Sequence, residues 1–174
     1  MGNSRQYALI AFLAELEGKS GRLGKKAAQK LMHILSSVSG GQSGYRFSFY
    51  TYGAFSSALA SDLDIASSLG LIKISYEPSE NSYSITAGKG AAEYIRKHVP
   101  QADLNYVSSV WKDFSGKSAK ELELLSTVLF LYDEEHLGAM SEEMSNRVLE
   151  LKPKYTLPEV RGAQRFLSNL YGLD

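Results

Sequence analysis

The 174-residue chain contains no cysteine. That absence removes disulfides, thiolate nucleophiles and Cys-based zinc sites together. Its apolar residues never gather into anything near the roughly 18-residue run that a membrane span requires. The opening stretch, MGNSRQYALIAFLAELEG, has a short apolar core that includes Glu15 and Glu17, with no small-residue cleavage site behind it. It reads as a helix instead of a secretory signal, so the expectation is a cytoplasmic protein with no membrane partner. The histidines are only His33, His98 and His136, and no two stand four apart. Without HExxH or a similar spacing, neither a metal site nor a cofactor is expected. Net charge is missing as well, since 19 Lys/Arg offset 19 Asp/Glu. A dedicated nucleic-acid binder usually has a basic excess, because phosphate neutralisation supplies much of its affinity.

The charge that is there is unevenly placed. Residues 1–98 hold 11 Lys/Arg and 7 Asp/Glu, and residues 99–174 hold 8 and 12. The halves carry +4 and −4. They either attract each other or leave only the first half suited to a polyanion.

Hydrophobic spacing predicts a first helix over Ser4 to Glu17, apolar around most of its circumference and therefore central. A second helix follows from about Leu23 to Val38, with Ala28, Leu31, Leu35 and Val38 as its buried stripe. Lys25, Lys26, Gln29, His33 and Ser36 then form its opposite, solvent face. YRFSFYTY, Tyr45 to Tyr52, alternates aromatic and polar residues and suits a short strand ended by Gly53. Its aromatic residues read as core and strand surface more than as base-stacking groups. Ser56 is a good N-cap and Gly70 a good C′ residue for a third helix. Leu59, Leu63, Ala66 and Leu69 line its inner stripe, with Ser57, Ser61, Asp64 and Ser68 opposite. LIKISY and SYSIT flank EPSEN as a hairpin, and Thr86 caps a fourth helix that runs to about His98. Residues 101–114 suggest a connecting helix, and SGKS at 115–118 a linker. Capping boxes at Ser118/Glu121 and Thr156/Glu159, and Ser141 as N-cap, announce three closing helices. The expected fold is mainly α with a small β-hairpin (α+β). Residues 1–100 would form a winged helix-turn-helix domain, 101–117 a connector, and 118–174 a three-helix subdomain.

GKSGRLGKK invites comparison with a phosphate loop. Gly18 to Gly24 is one residue too long for the Walker spacing, Lys26 replaces the required Ser or Thr, and a helix precedes it where a strand belongs. A basic turn between helices describes it better. QSG at 42–44 is no nucleophile elbow, because Tyr45 stands where glycine is needed. Glu134-Glu135 and Glu142-Glu143 fit solvated helix ends better than acid–base catalysis. No catalytic residue is assigned, and the chain is expected not to be an enzyme.

Two binding surfaces remain. Lys19, Arg22, Lys25, Lys26, Lys30 and His33 form a basic segment at the start of the second helix, where the helix N-terminus adds partial positive charge. They are candidates to grip phosphate. The third helix takes the place of a DNA-reading helix yet offers no Lys or Arg. Its face of Ser57, Ser61, Asp64 and Ser68 discriminates bases weakly, and Asp64 is repelled by a phosphate backbone. The wing tip Glu77-Pro78-Ser79-Glu80-Asn81 is acidic too. Small residues on a helix face let another protein approach closely, so these four are candidate partner-binding residues.

GKKAAQKLMHIL, YRFSFYTYGAFSSALASDLDIASSLGLI and YSITAGKG together resemble the YwgA-like family of bacterial and archaeal winged-helix proteins. ELELLSTVLFLYDE and LELKPKYTLPEV resemble that family's helical C-terminal part, so the likeness spans nearly the whole chain. More distantly, the same motifs resemble Panacea-type antitoxin domains. Ala54 and Phe55 stand where the pattern usually has Pro-Tyr. The resemblance implies a winged-helix fold, and it brings no established activity and no catalytic residues. Function is therefore expected to be that of a regulatory module. The balance leans to a protein partner on the third helix. The alternative is a DNA-binding transcriptional regulator gripping phosphate through the second helix, and a homodimer is compatible with either.

Overall fold

The computed structural model describes residues 3–18, 23–51 and 53–174. Among them the chain is mainly α, with eight helices and two antiparallel two-stranded sheets. The N-terminal half runs α1 (Ser4–Glu17), α2 (Lys25–Val38), β1 (Ser48–Tyr50), β2 (Gly53–Phe55), α3 (Ser57–Ser68), β3 (Ile72–Glu77), β4 (Ser82–Ala87) and α4 (Ala91–His98). It continues with α5 (Gln101–Phe114), α6 (Ala119–Glu134), α7 (Glu142–Leu151) and α8 (Leu157–Tyr171).

α1 is central because apolar residues occupy nearly every side of it. Ala8, Leu9, Ile10, Leu13 and Leu16 are all buried, and α3, α4, α5 and the β3–β4 hairpin surround the helix. One continuous apolar cluster joins α1, Met32 and Ile34 of α2, Leu59 of α3 and Ile85 of β4 to Val128 and Leu129 of α6 and Leu167 of α8. α6 lies against α2, so the C-terminal helices share the core of the N-terminal ones.

The helix starts follow their caps. Ser56, Ser141, Ser118 and Thr156 each accept a backbone N–H from the first turn, the last two within full capping boxes. Gly70 takes the left-handed conformation just past α3. The β3–β4 hairpin pairs Ile72 with Ala87 through Glu77 with Ser82, and Leu23 adds a bridge to Ile85.

Two elements differ from expectation. The strand foreseen over Tyr45 to Tyr52 ends at Tyr50 and folds back on itself. Ser48–Tyr50 pairs with Gly53–Phe55, because Gly53 adopts a φ of 90° that permits the reversal. The fourth helix begins at Ala91, and Thr86 belongs to β4. Gly88 explains the delay. A Cβ there would stand 2.1 Å from the Gly70 carbonyl oxygen, so the chain passes the end of α3 in contact that only glycine allows.

Candidate functional site

The start of α3 is bolted to α2. The Gln29 side chain donates to the Ser56 carbonyl at 3.0 Å and accepts from the Ser56 N–H at 2.9 Å. Ser56 in turn caps α3 through its hydroxyl, 3.3 Å from the Leu59 N–H. The inner stripe of α3 is Leu59, Asp62, Leu63 and Ala66. Asp62 is thus interior, and it accepts from the Tyr45 hydroxyl at 2.7 Å and from Asn3 at 3.2 Å. Burial, then the Asp62 hydrogen bond, push the Tyr45 phenol well above its ordinary range. Of the two acids on this helix, Asp62 is therefore held inside and only Asp64 could meet a polyanion.

The outer face of α3 is open. Ser57, Ser61, Asp64 and Ser68 are exposed, and Ser68 donates back to the Asp64 carbonyl of its own helix. Beside them runs an apolar edge of Ala58, Ile65 and Leu69, with Ile65 41% and Leu69 54% exposed. Neither the C-terminal helices nor any other described element covers this face.

The basic candidates on α2 fare differently. Lys19 and Arg22 lie outside the described residues. Lys25 and Lys26 keep access to solvent at the helix start. His33, expected with Gln29 and Ser36 on a solvent face, is buried with them, and so is Lys30, a candidate phosphate-binding residue. The β1–β2 hairpin and α6 pack over this side and supply partners. Lys30 Nζ donates to the Ala54 carbonyl at 2.7 Å, and His33 Nδ1 lies 2.8 Å from Ser126 Oγ. Burial, only partly offset by the charge of Glu123, lowers Lys30 to about 8. Burial, reinforced by the charge of Lys30, lowers His33 to about 3. His33 is accordingly neutral at physiological pH, in edge contact with Phe47. Polar residues at helical spacing on α2 face protein, not water.

The same seam holds an ion pair that sequence reasoning missed. Lys152, 5% exposed, lies 2.8 Å from Glu123 and donates to the Thr51 carbonyl at 2.9 Å. Lys154 meets the other Glu123 oxygen at 2.7 Å. Burial alone would raise the Glu123 carboxyl, but the two lysines outweigh it and hold the group below its ordinary value. No spacing in the sequence links residues 123 and 152; only the packing of α6 against the end of α7 does.

Three elements bring half of each candidate set to one place. A cleft of about 380 Å³ opens between the start of α2, the β1–β2 hairpin and α3. Lys25, Lys26 and Lys30 line it together with Ser61 and Asp64, while Ser57 and Ser68 lie outside it. Lys25 Nζ stands 3.5 Å from Asp64 and 4.7 Å from the centre of the Tyr83 ring, which links α2, α3 and the β3–β4 hairpin. Tyr83 and Tyr76 pack together at 5.3 Å on that hairpin, both about half exposed. Tyr50, 62% exposed, sits edge-on to Phe55 on the opposite wall. Tyr50 fits the strand-surface reading of its stretch, whereas Tyr76 and Tyr83 were not singled out from the sequence. Alternation offered a partial signal, since Tyr83 shares a side of β4 with buried Ile85 but lies nearer the tip, past the edge of the core.

Among the described residues no group of His, Asp or Glu is arranged to hold a metal ion, and no helix is long and apolar enough to cross a membrane. No family model matches the chain, and no curated protein matches it.

Proposed function

We propose that the chain is a non-enzymatic regulatory module of winged-helix type that docks a protein partner on the outer face of α3. The observation that carries this is the open serine stripe of α3 with its exposed apolar edge, Ile65 and Leu69. Interfaces gain from apolar and tyrosine-rich surface with little charge at the centre. α3 has that character, with exposed Tyr50 on one flank and Tyr76 and Tyr83 on the other. A DNA backbone favours the opposite, yet α3 carries no cation and the exposed wing tip bears Glu77 and Glu80. The resemblance to YwgA-like proteins, and more distantly to Panacea-type antitoxin domains, is compatible with such a module.

The alternative is a DNA-binding transcriptional regulator. It retains one specific support, Lys25 and Lys26 at the first turn of α2, where Gly24 gives no side-chain cap and no acid follows. It loses Lys30 and His33 as surface contacts.

Two measurements test the pair. Wild-type protein titrated into random-sequence duplex DNA at low and moderate salt should show no binding by fluorescence anisotropy. A photo-crosslinking amino acid placed at Ser68 should capture a protein in cells of the source organism, a second copy of the chain included, and Asp64→Arg should abolish the capture. Salt-sensitive DNA binding that disappears in Lys25→Glu/Lys26→Glu would overturn the protein reading in favour of DNA.

A further inference from the structure

We infer that a second cleft, between the end of α2, residues 40–48 and the end of α6, binds a small zwitterion, a free amino acid with a hydroxylated aromatic ring. The cleft measures about 580 Å³, within the range of small-molecule sites. No residue of α3 lines it, so the site stands or falls apart from the α3 reading. Two buried side chains of α2 point to a ligand here. His33 is 4% exposed and Ser36 8%, and both line the cleft. His33 Nδ1 is taken by Ser126, but Nε2 has no hydrogen-bond partner among the described residues, and neither has the Ser36 hydroxyl. Buried polar groups are ordinarily bonded. Neither of these atoms is sealed inside protein, so each reaches outward through the cleft that its residue lines.

The occupant's chemistry follows from the lining. Phe47 and Phe130 flank the His33 ring, with centroids 4.9 and 6.0 Å from it, and make an aromatic floor on which a ring packs. His33 is uncharged at neutral pH. A phenol hydroxyl both donates and accepts, so it satisfies Nε2 in either tautomer and the Ser36 hydroxyl as well. Charges of both signs stand next to this floor. Arg46 adjoins Phe47 in the chain, and Glu134 lies one turn beyond Phe130 on α6, roughly 6 Å along the axis. Both are exposed and line the cleft, yet neither has an ion pair or hydrogen bond with the other or with any described residue. Asp133 differs, because its carboxylate already accepts from Ser37 at 2.5 Å. An open cation and an open anion beside an aromatic floor match the α-carboxylate and α-ammonium that an amino acid carries on one carbon. A phosphate-bearing ligand would set its charge against Asp133 and Glu134 with Arg46 alone to offset it. Gly40 and Gly41 leave the mouth bare, with nothing within 4 Å of where a Cβ would stand.

The probe is radiolabelled L-tyrosine, in equilibrium dialysis against the full chain. A Kd of about 1 mM or tighter is expected. L-Phenylalanine, which lacks the phenol, and tyramine, which lacks the carboxylate, should each compete about tenfold more weakly. Arg46→Glu and Glu134→Lys, both at exposed positions, should each weaken tyrosine binding by about tenfold. Ser61→Arg on α3, outside the cleft, should leave it unchanged. Absence of binding at about 1 mM overturns the site. Affinity indifferent to both charge reversals, or phenylalanine competing as well as tyrosine, overturns it too. N-acetyl-tyrosine binding as tightly as tyrosine overturns the assignment to a free amino acid.

Discussion

The second and third helices carry polar residues at the same helical spacing and end in opposite environments. On α2, Gln29, Lys30, His33 and Ser36 are covered. On α3, Ser57, Ser61, Asp64 and Ser68 are open. The difference is made by segments remote in sequence. The β1–β2 hairpin brings the Ala54 carbonyl to Lys30, the cap of α3 brings the Ser56 backbone to Gln29, and α6 brings Ser126 to His33. A polar face marks groups that need partners, and protein can supply them as well as water can. Covered polar groups specify how elements dock, and uncovered ones are satisfied by solvent.

The contrast is tested most severely at the ion pair beneath the hairpin. Glu123→Ala leaves Lys152 buried without its carboxylate and should lower stability by about 3–5 kcal/mol in urea denaturation. Gln29→Ala strands the buried Ser56 N–H and removes one of the two bonds to its carbonyl, which Ala60 N–H still fills, a loss of roughly 2 kcal/mol. His33 adds a pH signature. Its folded value of about 3 lies below the ordinary 6.5, so the unfolded chain takes up the proton first. Stability present above about pH 6.5 should fall as the pH drops toward 3, with a slope approaching about 1.4 kcal/mol per pH unit, and His33→Gln should flatten it. At the small end, Ser57→Ala and Ser61→Arg on α3 should each change stability by no more than about 0.5 kcal/mol, the latter while blocking the partner. If an α3 variant proved as costly as Gln29→Ala, the two faces would not differ in kind.

Much of this architecture was legible because it is local. Ser56, Ser118, Ser141 and Thr156 cap helices at the positions their spacing announced, and Gly70 ends α3. The exposed side of α3 was legible for the same reason, since Leu59, Leu63 and Ala66 of the expected inner stripe are buried and fix which way the serines point, whereas Leu69, expected with them, is 54% exposed at the helix end and Asp62 is buried in the stripe. What escaped depended on distant chain. Lys30 and His33 looked like surface residues because nothing near them in sequence reveals Ala54 or α6 as their cover. The β1–β2 turn escaped because alternation continues smoothly through Tyr50 while the reversal depends on Gly53. Lys152 and Glu123 share no pattern at all.

The cover that α6 lays over α2 also bears on how pieces of this protein would behave. A fragment ending before Ala119 would lose Ser126 and Phe130 from beside His33 and Glu123 from beside Lys30. It would present to solvent a lysine and a histidine that the whole chain keeps inside, without the acidic half that balances them. Such a fragment would acquire affinity for nucleic acid through its own incompleteness, so retention on heparin or DNA is informative only with the whole chain.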